Sequence, residues 1–365
     1  MTSAQVFETL ASLPLQILVV VIAIAALGRI KISAATRCRL WTIAYLSIIF
    51  LIAAAFLVAH IRLLDIGFRF SESSARRIVE TQIGIVRLIG MTWLIGCVMV
   101  LIRRCCRFAA LQRFLRHECR PMTDQELAGL PLTDNDTVPS NLHWLVSKHK
   151  HGPFCWQLHR PTIVISRDVL RDDTRTLRHV LLHELEHLRT DHPLQHFLQG
   201  ICSVALWFHP AIWWAARDAE LSREFHCDEV SASDGNSIGS YLRTLTRIAE
   251  QSTDAHACTL AFGRRKSAII RRTERLVSLS ASPEKQAILR SHIRDYLAIG
   301  ILLLVVAVAS QIWLPVNVLA STRSRVSPWP RWTAAVLHDW GVSVRDFEQF
   351  DDRHDLRKIV EPEDQ

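Results

Sequence analysis

The five residues His183-Glu184-Leu185-Glu186-His187 carry two imidazoles and a carboxylate at a spacing that can do chemistry. On a helix of 3.6 residues per turn, i and i+4 lie one above the other, so both imidazoles point the same way and can share one zinc ion. Glu184 is adjacent to that face and can reach a water on the ion as a general base. So short a pattern also arises by chance, and zinc needs a third protein ligand with one position left open. Downstream, Ser222-Arg223-Glu224-Phe225-His226-Cys227-Asp228 offers one. Glu224 and Asp228 are again i and i+4, which suits Glu224 as the third ligand and Asp228 as acceptor of an N–H from a ligand histidine. The competing reading is a plain charged helix face with Arg217, Asp218, Glu220 and Arg223; the upstream motif favours the ligands.

Neighbouring residues attract blander readings. His192 and His196 repeat the i, i+4 spacing without a carboxylate between them, and are expected to be a solvated helix-end pair. His226 and Cys227 point elsewhere on their helix from Glu224, so they are expected to support the site or to pack. Glu186 lies off the metal face and is expected to be solvent-exposed or salt-bridged.

These side chains need elements to position them. The run Pro161–Ser166, PTIVIS, is β-branched and opens on proline, so it reads as a short edge strand. Asp172 and Asp173 can cap a helix that runs through TRTLRHVLLHELEHLRT and stops before Pro193, with Val180 and Leu181 facing the core. Trp207, Phe208, Trp213 and Trp214 belong to an apolar stretch too broken by polar residues to span a membrane. It reads as a core or interfacial helix dipping into the headgroup layer.

Apolar residues make up 49% of the 365-residue chain and charged residues 21%, which indicates blocks of opposite character. Four stretches approach the ~20 apolar residues that cross a bilayer as helix: Leu13–Leu27, Trp41–Ala59, Ile85–Ile102 and Leu297–Leu314. The first is expected to be retained, because the leading MTSAQVFETL has no Lys or Arg and no cleavage site precedes a soluble domain. Arg29, Lys31, Arg37 and Arg39 fill the first loop without an acid. Arg103, Arg104, Arg107, Arg113, Arg116 and Arg120 follow the third span, whereas the second loop mixes arginines with Asp65, Glu72 and Glu80. The positive-inside rule then places the first loop and residues 103–295 in the cytoplasm, and the N-terminus and residues 321–365 outside. Arg87 is expected to snorkel at the outer start of the third span. The net charge of +8 is thereby explained as a topology signal, and direct nucleic-acid binding is not expected. Nine cysteines without a C-x-x-C pair exclude a cysteine zinc knuckle and argue for reduced thiols.

The order Gly152-Pro153-Phe154, Pro161 with its strand, HVLLHELEHLRTDH, WFHPAIWW and REFHCDE resembles the BlaR/MecR-type membrane metallopeptidases. YLRTLTRIAE (Tyr241–Glu250) and RRTERL (Arg271–Leu276) are similar to that family's pattern too. The resemblance is close over Pro153–Leu276, and three spans before and one after agree with it. It implies His183, His187 and Glu224 as zinc ligands, Glu184 as catalytic base and Asp228 as orienter. The implied fold is mainly α: four transmembrane helices (residues 1–102 and 296–320) around a cytoplasmic α+β glutamate-zincin domain (103–295). Two departures stand out. About 45 residues follow the fourth span, with no S-x-x-K nucleophile, so β-lactam sensing is not implied; and His209 stands where family members often show asparagine.

The expected activity is zinc-dependent hydrolysis of peptide bonds in the bacterial inner membrane, directed at the chain itself or at a cytoplasmic winged-helix transcriptional repressor. The strand at Thr162–Ile165 would hold the substrate backbone by strand addition. The expected partners are the lipid bilayer, a polypeptide substrate and, where it dimerises, a second copy of the chain. The alternatives are a quality-control protease for misfolded membrane proteins and a non-catalytic signalling scaffold. A repressor gene beside this one would favour the first reading, and the intact Glu184 argues against the scaffold.

Overall fold

The computed structural model describes residues 3–30, 32–57, 72–149, 152–157, 160–233, 238–251, 259–280 and 287–314, with 336 and 339–341. Most of the second loop and the whole 321–365 tail, apart from those four positions, therefore lie outside the described residues. Two long helices come first, α1 (Ser3–Leu27) and α2 (Ala34–Leu57), then α3 (Glu72–His117), 46 residues without a break. Among the described residues three helical stretches are long and apolar enough to cross a membrane: Glu8–Leu27, Ala34–Ala55 and Ile83–His117. The third expected span is thus the middle of a helix that runs on past the arginines and delivers the chain to the sheet. The fourth expected span falls on α11 (Ala287–Ala309) and the turns after it.

A small sheet follows, with β1 (Cys119–Pro121), β2 (His143–Ser147), β3 (Phe154–Gln157) and β4 (Pro161–Ser166) in the order β1-β2-β4-β3. The short helix α4 (Asp124–Ala128) separates β1 from β2. The expectation of an edge strand at Pro161–Ser166 is corrected here. β4 is interior, parallel to β2 and antiparallel to β3, and all six of its residues are buried. Proline is tolerated because it is the first residue of the strand. The edge strands are β1 and β3.

After the short α5 (Arg167–Leu170) comes α6 (Thr174–Arg189), which carries the paired histidines. Asp173 caps it, accepting from the Thr176 N–H at 2.9 Å, and it ends at Thr190, so the expected boundaries hold. Val180 and Leu181, at 3% and 0% exposure, join Leu177, Leu185 and Leu188 on the sheet. That leaves the His183–His187 face turned away from the sheet.

Helices α7 (His192–Ala205) and α8 (Pro210–Ser233) form a hairpin, and α9 (Ile238–Gln251) and α10 (Thr259–Ser280) fold back over α8. The hairpin does not merely touch the long helices. Cys202, Leu206, Ile212, Ala215 and Ala219 share one core with residues of α1, α2 and α11. His209 explains itself here: its Nδ1 accepts from the Ala211 N–H at 3.2 Å at the start of α8, and its Nε2 lies 3.1 Å from the Pro14 carbonyl in α1.

Trp207 lies against Gly96 of α3, where a Cβ would fall inside the indole ring. The Gly96→Ala variant should therefore lose on the order of 1–3 kcal/mol by overpacking, read as a lower melting temperature in detergent. Melting at the wild-type temperature would show that α3 and the hairpin are not held this closely.

Candidate metal centre

Helix α6 meets α8 with its histidine face against Glu224, and the two imidazoles are only 12% and 13% exposed. The Nε2 atoms of His183 and His187 are 3.2 Å apart, and they lie 3.5 and 3.6 Å from the two Glu224 carboxylate oxygens. Two nitrogens held ~2.0–2.1 Å from a tetrahedral ion stand about 3.4 Å apart, so the three side chains fit a metal ion without rearrangement. The sequence-predicted ligands are brought together.

Asp228, one turn beyond Glu224, is 1% exposed and sits behind His183. Its Oδ1 is 3.3 Å from His183 Nδ1 and accepts from the Tyr241 hydroxyl at 2.7 Å. Arg272 of α10 donates to both Asp228 oxygens and, through its other nitrogen, reaches Glu224 at 2.9 Å. Burial opposes the charge on Asp228, but the Arg272 guanidinium prevails and holds its pKa below the usual carboxylate value. Tyr241 and Arg272 were absent from the spacing argument. Both lie in the two downstream motifs, Tyr241–Glu250 and Arg271–Leu276, that carry the family resemblance.

The other histidine has its own support, and this corrects the expected solvated pair. His192 is 3% exposed, and its Nδ1 stands 2.9 Å from His187 Nδ1. Asp191 takes a left-handed φ of 53°, which turns the chain sharply enough to swing His192 back onto the site. His196, by contrast, is exposed. His187, His192 and Cys227 are also close enough to hold a metal, and the His187 atom that faces His192 at 2.9 Å is Nδ1. An imidazole that binds an ion through Nε2 carries its proton on Nδ1, and that proton points at His192. The trio therefore serves the first site as a hydrogen-bonded support.

Glu186 is buried at 4% exposure, stands 3.0 Å from His226 Nε2 and pairs with Arg189 at 3.4 Å, so the salt-bridged half of its expectation holds and the exposed half does not. The His226 contact locks α6 to α8 beside the ligands. Glu184 is 5% exposed and hydrogen-bonds to Cys155 on the open strand β3. Burial pushes its carboxyl up to about 7, with the nearby Glu224 charge adding to the shift. Burial drives His187 the other way, down to about 3, leaving it neutral and ready to ligate. His183 is also buried, yet the Asp228 and Glu224 carboxylates outweigh this and raise it to about 10.

Two helices thus present His183, His187 and Glu224 to a common point, with Glu184 beside it, on a chain with long apolar helices. The family model described as BlaR1 peptidase M56 matches residues 7–276, from the first apolar helix to Leu276 in α10. The chain belongs to the BlaR1 peptidase M56 family. It is 21% identical over 166 residues to the regulatory protein BlaR1 of Bacillus licheniformis; the match covers 45% of this chain and 26% of that protein. The family is one of membrane-associated metallopeptidases, and Tyr241 and Arg272 fall inside the matched region together with His183, His187 and Glu224.

Proposed function

We propose that this M56 protein is a zinc-dependent endopeptidase of the bacterial inner membrane that relays a signal by cutting a cytoplasmic polypeptide, a transcriptional repressor or the chain itself. The convergence of His183, His187 and Glu224 at 3.2–3.6 Å carries the reading. When bound, zinc supplies Lewis acidity that polarises a carbonyl and acidifies water. The protein does the rest. Asp228 and His192 fix the two imidazole rings through their Nδ1 atoms, which keeps both Nε2 lone pairs on target. Glu184, buried beside the ligand positions, would take the proton of the attacking water and pass it to the leaving amine. The open edge of β3, beside Glu184, offers backbone groups to an extended substrate in place of the interior β4.

Internal ties support a cytoplasmic catalytic domain and α11 as a fourth span. Arg37, at the start of α2, pairs with Asp218 of α8 at 2.8 Å, and the first-loop Ser33 donates to Asp295 of α11 at 3.0 Å. At the other end of α1, the Ser12 hydroxyl accepts from Leu314 N–H at 2.9 Å. Helix α11 therefore runs antiparallel to α1 along its length, with the arginine-rich first loop and the metal centre on one side.

Chelation should abolish cleavage by the purified full-length protein, and added zinc should restore it at one ion per chain. The His187→Ala protein should bind no zinc and should not recover. Equal zinc in both proteins would remove the metal assignment, and activity indifferent to chelation would remove the mechanism.

A further inference from the structure

No Asp, Glu, Lys or Arg stands between Asp191 and Arg217, and this charge-free run makes up α7, the elbow 206–209 and the start of α8. Three independent rulers show how far the elbow reaches along the long helices. His209 meets the Pro14 carbonyl, about 20 Å along α1 from Leu27. Cys202 Sγ meets the Tyr45 carbonyl, about 16 Å along α2 from Ala34. Trp207 and Trp93 exchange indole-to-carbonyl hydrogen bonds, Trp207 to Trp93 O at 3.3 Å and Trp93 to Ala205 O at 2.7 Å, about 15 Å along α3 from Arg103. Half of a ~30 Å hydrocarbon core is about 15 Å.

The hairpin also has the surface such a position requires. Of its polar residues Gln195 and Gln199 are buried and His196 is exposed, whereas Leu194, Phe197, Ile201 and Trp213 are exposed at 56%, 54%, 42% and 53%. This apolar face continues that of α3, which packs beside α7 and whose candidate span has none of its apolar window buried in protein. Backbone outside a helix is tolerated at such depth only where it is satisfied and covered by protein. The two ends of the elbow meet that condition: Leu206 N–H donates to Cys202 O at 2.9 Å, His209 N–H to Leu206 O at 2.9 Å, and Pro210 has no N–H, while the Phe208 side chain between them is 42% exposed. Leu206 and His209 are themselves buried.

We propose that α7 and α8 form a re-entrant hairpin whose elbow lies near the bilayer midplane and whose outer face is covered by lipid acyl chains. Glu224 lies about 21 Å along α8 from Pro210, so the hairpin holds the metal centre in the headgroup layer of the cytoplasmic leaflet. The test uses full-length protein in phosphatidylcholine nanodiscs, with a genetically encoded fluorescent amino acid at Leu194, Ile201 or, as a control, the exposed Arg167. Lipids brominated deep in the acyl chain should remove most of the fluorescence at Ile201. Shallow bromines should act more strongly at Leu194, and neither should affect Arg167. Quenching at Ile201 no greater than at Arg167 overturns the proposal. A second measurement needs no variant: a diazirine-bearing phospholipid should label the 194–213 peptide of the wild-type protein along with 88–101 in α3. Labelling of α3 alone would also overturn it. Both readouts are independent of peptidase activity, so the hairpin can fail without the proposed function failing, and the reverse.

Discussion

Replacing Glu184 by glutamine should reduce cleavage by about 10²–10⁴-fold and leave the bound zinc unchanged. The side chain is 5% exposed, lies beside the His183–His187 pair and contributes no ligand atom to the grouping at the metal point. Glutamine keeps its size and can still accept from Cys155, so the loss falls on proton transfer alone. Stability gives an independent check in the metal-free protein. Burial raises the folded-state pKa from 4.5 to about 7, so the carboxylate destabilises the fold increasingly from about pH 4.5 up to about pH 7. Glu184→Gln should therefore melt with wild type at pH 4 and above it at pH 8, by an order of 3 kcal/mol. A variant that cleaves like wild type would end the peptidase reading and leave a signalling scaffold in its place.

Most of the metal centre was legible because helix geometry needs no tertiary information. The i, i+4 pairs His183/His187 and Glu224/Asp228 lie on two helices, one of them capped by Asp173 as expected, and the ridge of Leu177, Val180, Leu181 and Leu185 fixes which way the histidines face. What sequence could not show depends on corners and returns. His192 reaches His187 only because Asp191, a non-glycine residue, takes a left-handed turn, and no local pattern demands one there. Glu186 is buried because His226, on a different helix, meets it. Pro161 suggested an edge strand, but a proline at the first position of a strand is compatible with an interior one, and the short β3 covers that side. Trp207, Trp213 and Trp214 suggest a core or interfacial helix, and the stretch that holds them is not among the helices long and apolar enough to cross a membrane. A segment that enters and returns needs only half the span, with His209 turned back onto backbone at the elbow.

The second large effect should come from Asp228. It receives Tyr241 and Arg272 and backs His183, all while nearly excluded from water. Asp228→Ala would leave the Arg272 guanidinium with Glu224 as its remaining carboxylate here, and removing one partner of a buried pair costs about 3–5 kcal/mol. Asp228→Asn is the sharper instrument, because it keeps the shape and removes the charge. Its zinc affinity should fall ~10–100-fold, since the His183 ring loses the carboxylate that holds its Nδ1 proton. The stability difference from wild type has a defined pH dependence. The Asp228 pKa is lowered in the fold, so its contribution is complete above the unfolded value of 3.8 and is lost as pH falls through the depressed one. Wild type should therefore exceed Asp228→Asn by a constant margin at neutral pH, and the two curves should converge in strong acid. Tyr241→Phe separates the two roles: it removes the hydroxyl that donates to Asp228 and stands 3.1 Å from His183 Nδ1, should cost about 1–2 kcal/mol, and should leave zinc binding nearly intact because Asp228 still backs His183. If Asp228→Asn held zinc as tightly as wild type, Asp228 would be an anchor for Arg272 and α10 alone, and the orientation of His183 would have to come from the Tyr241 hydroxyl 3.1 Å from its Nδ1.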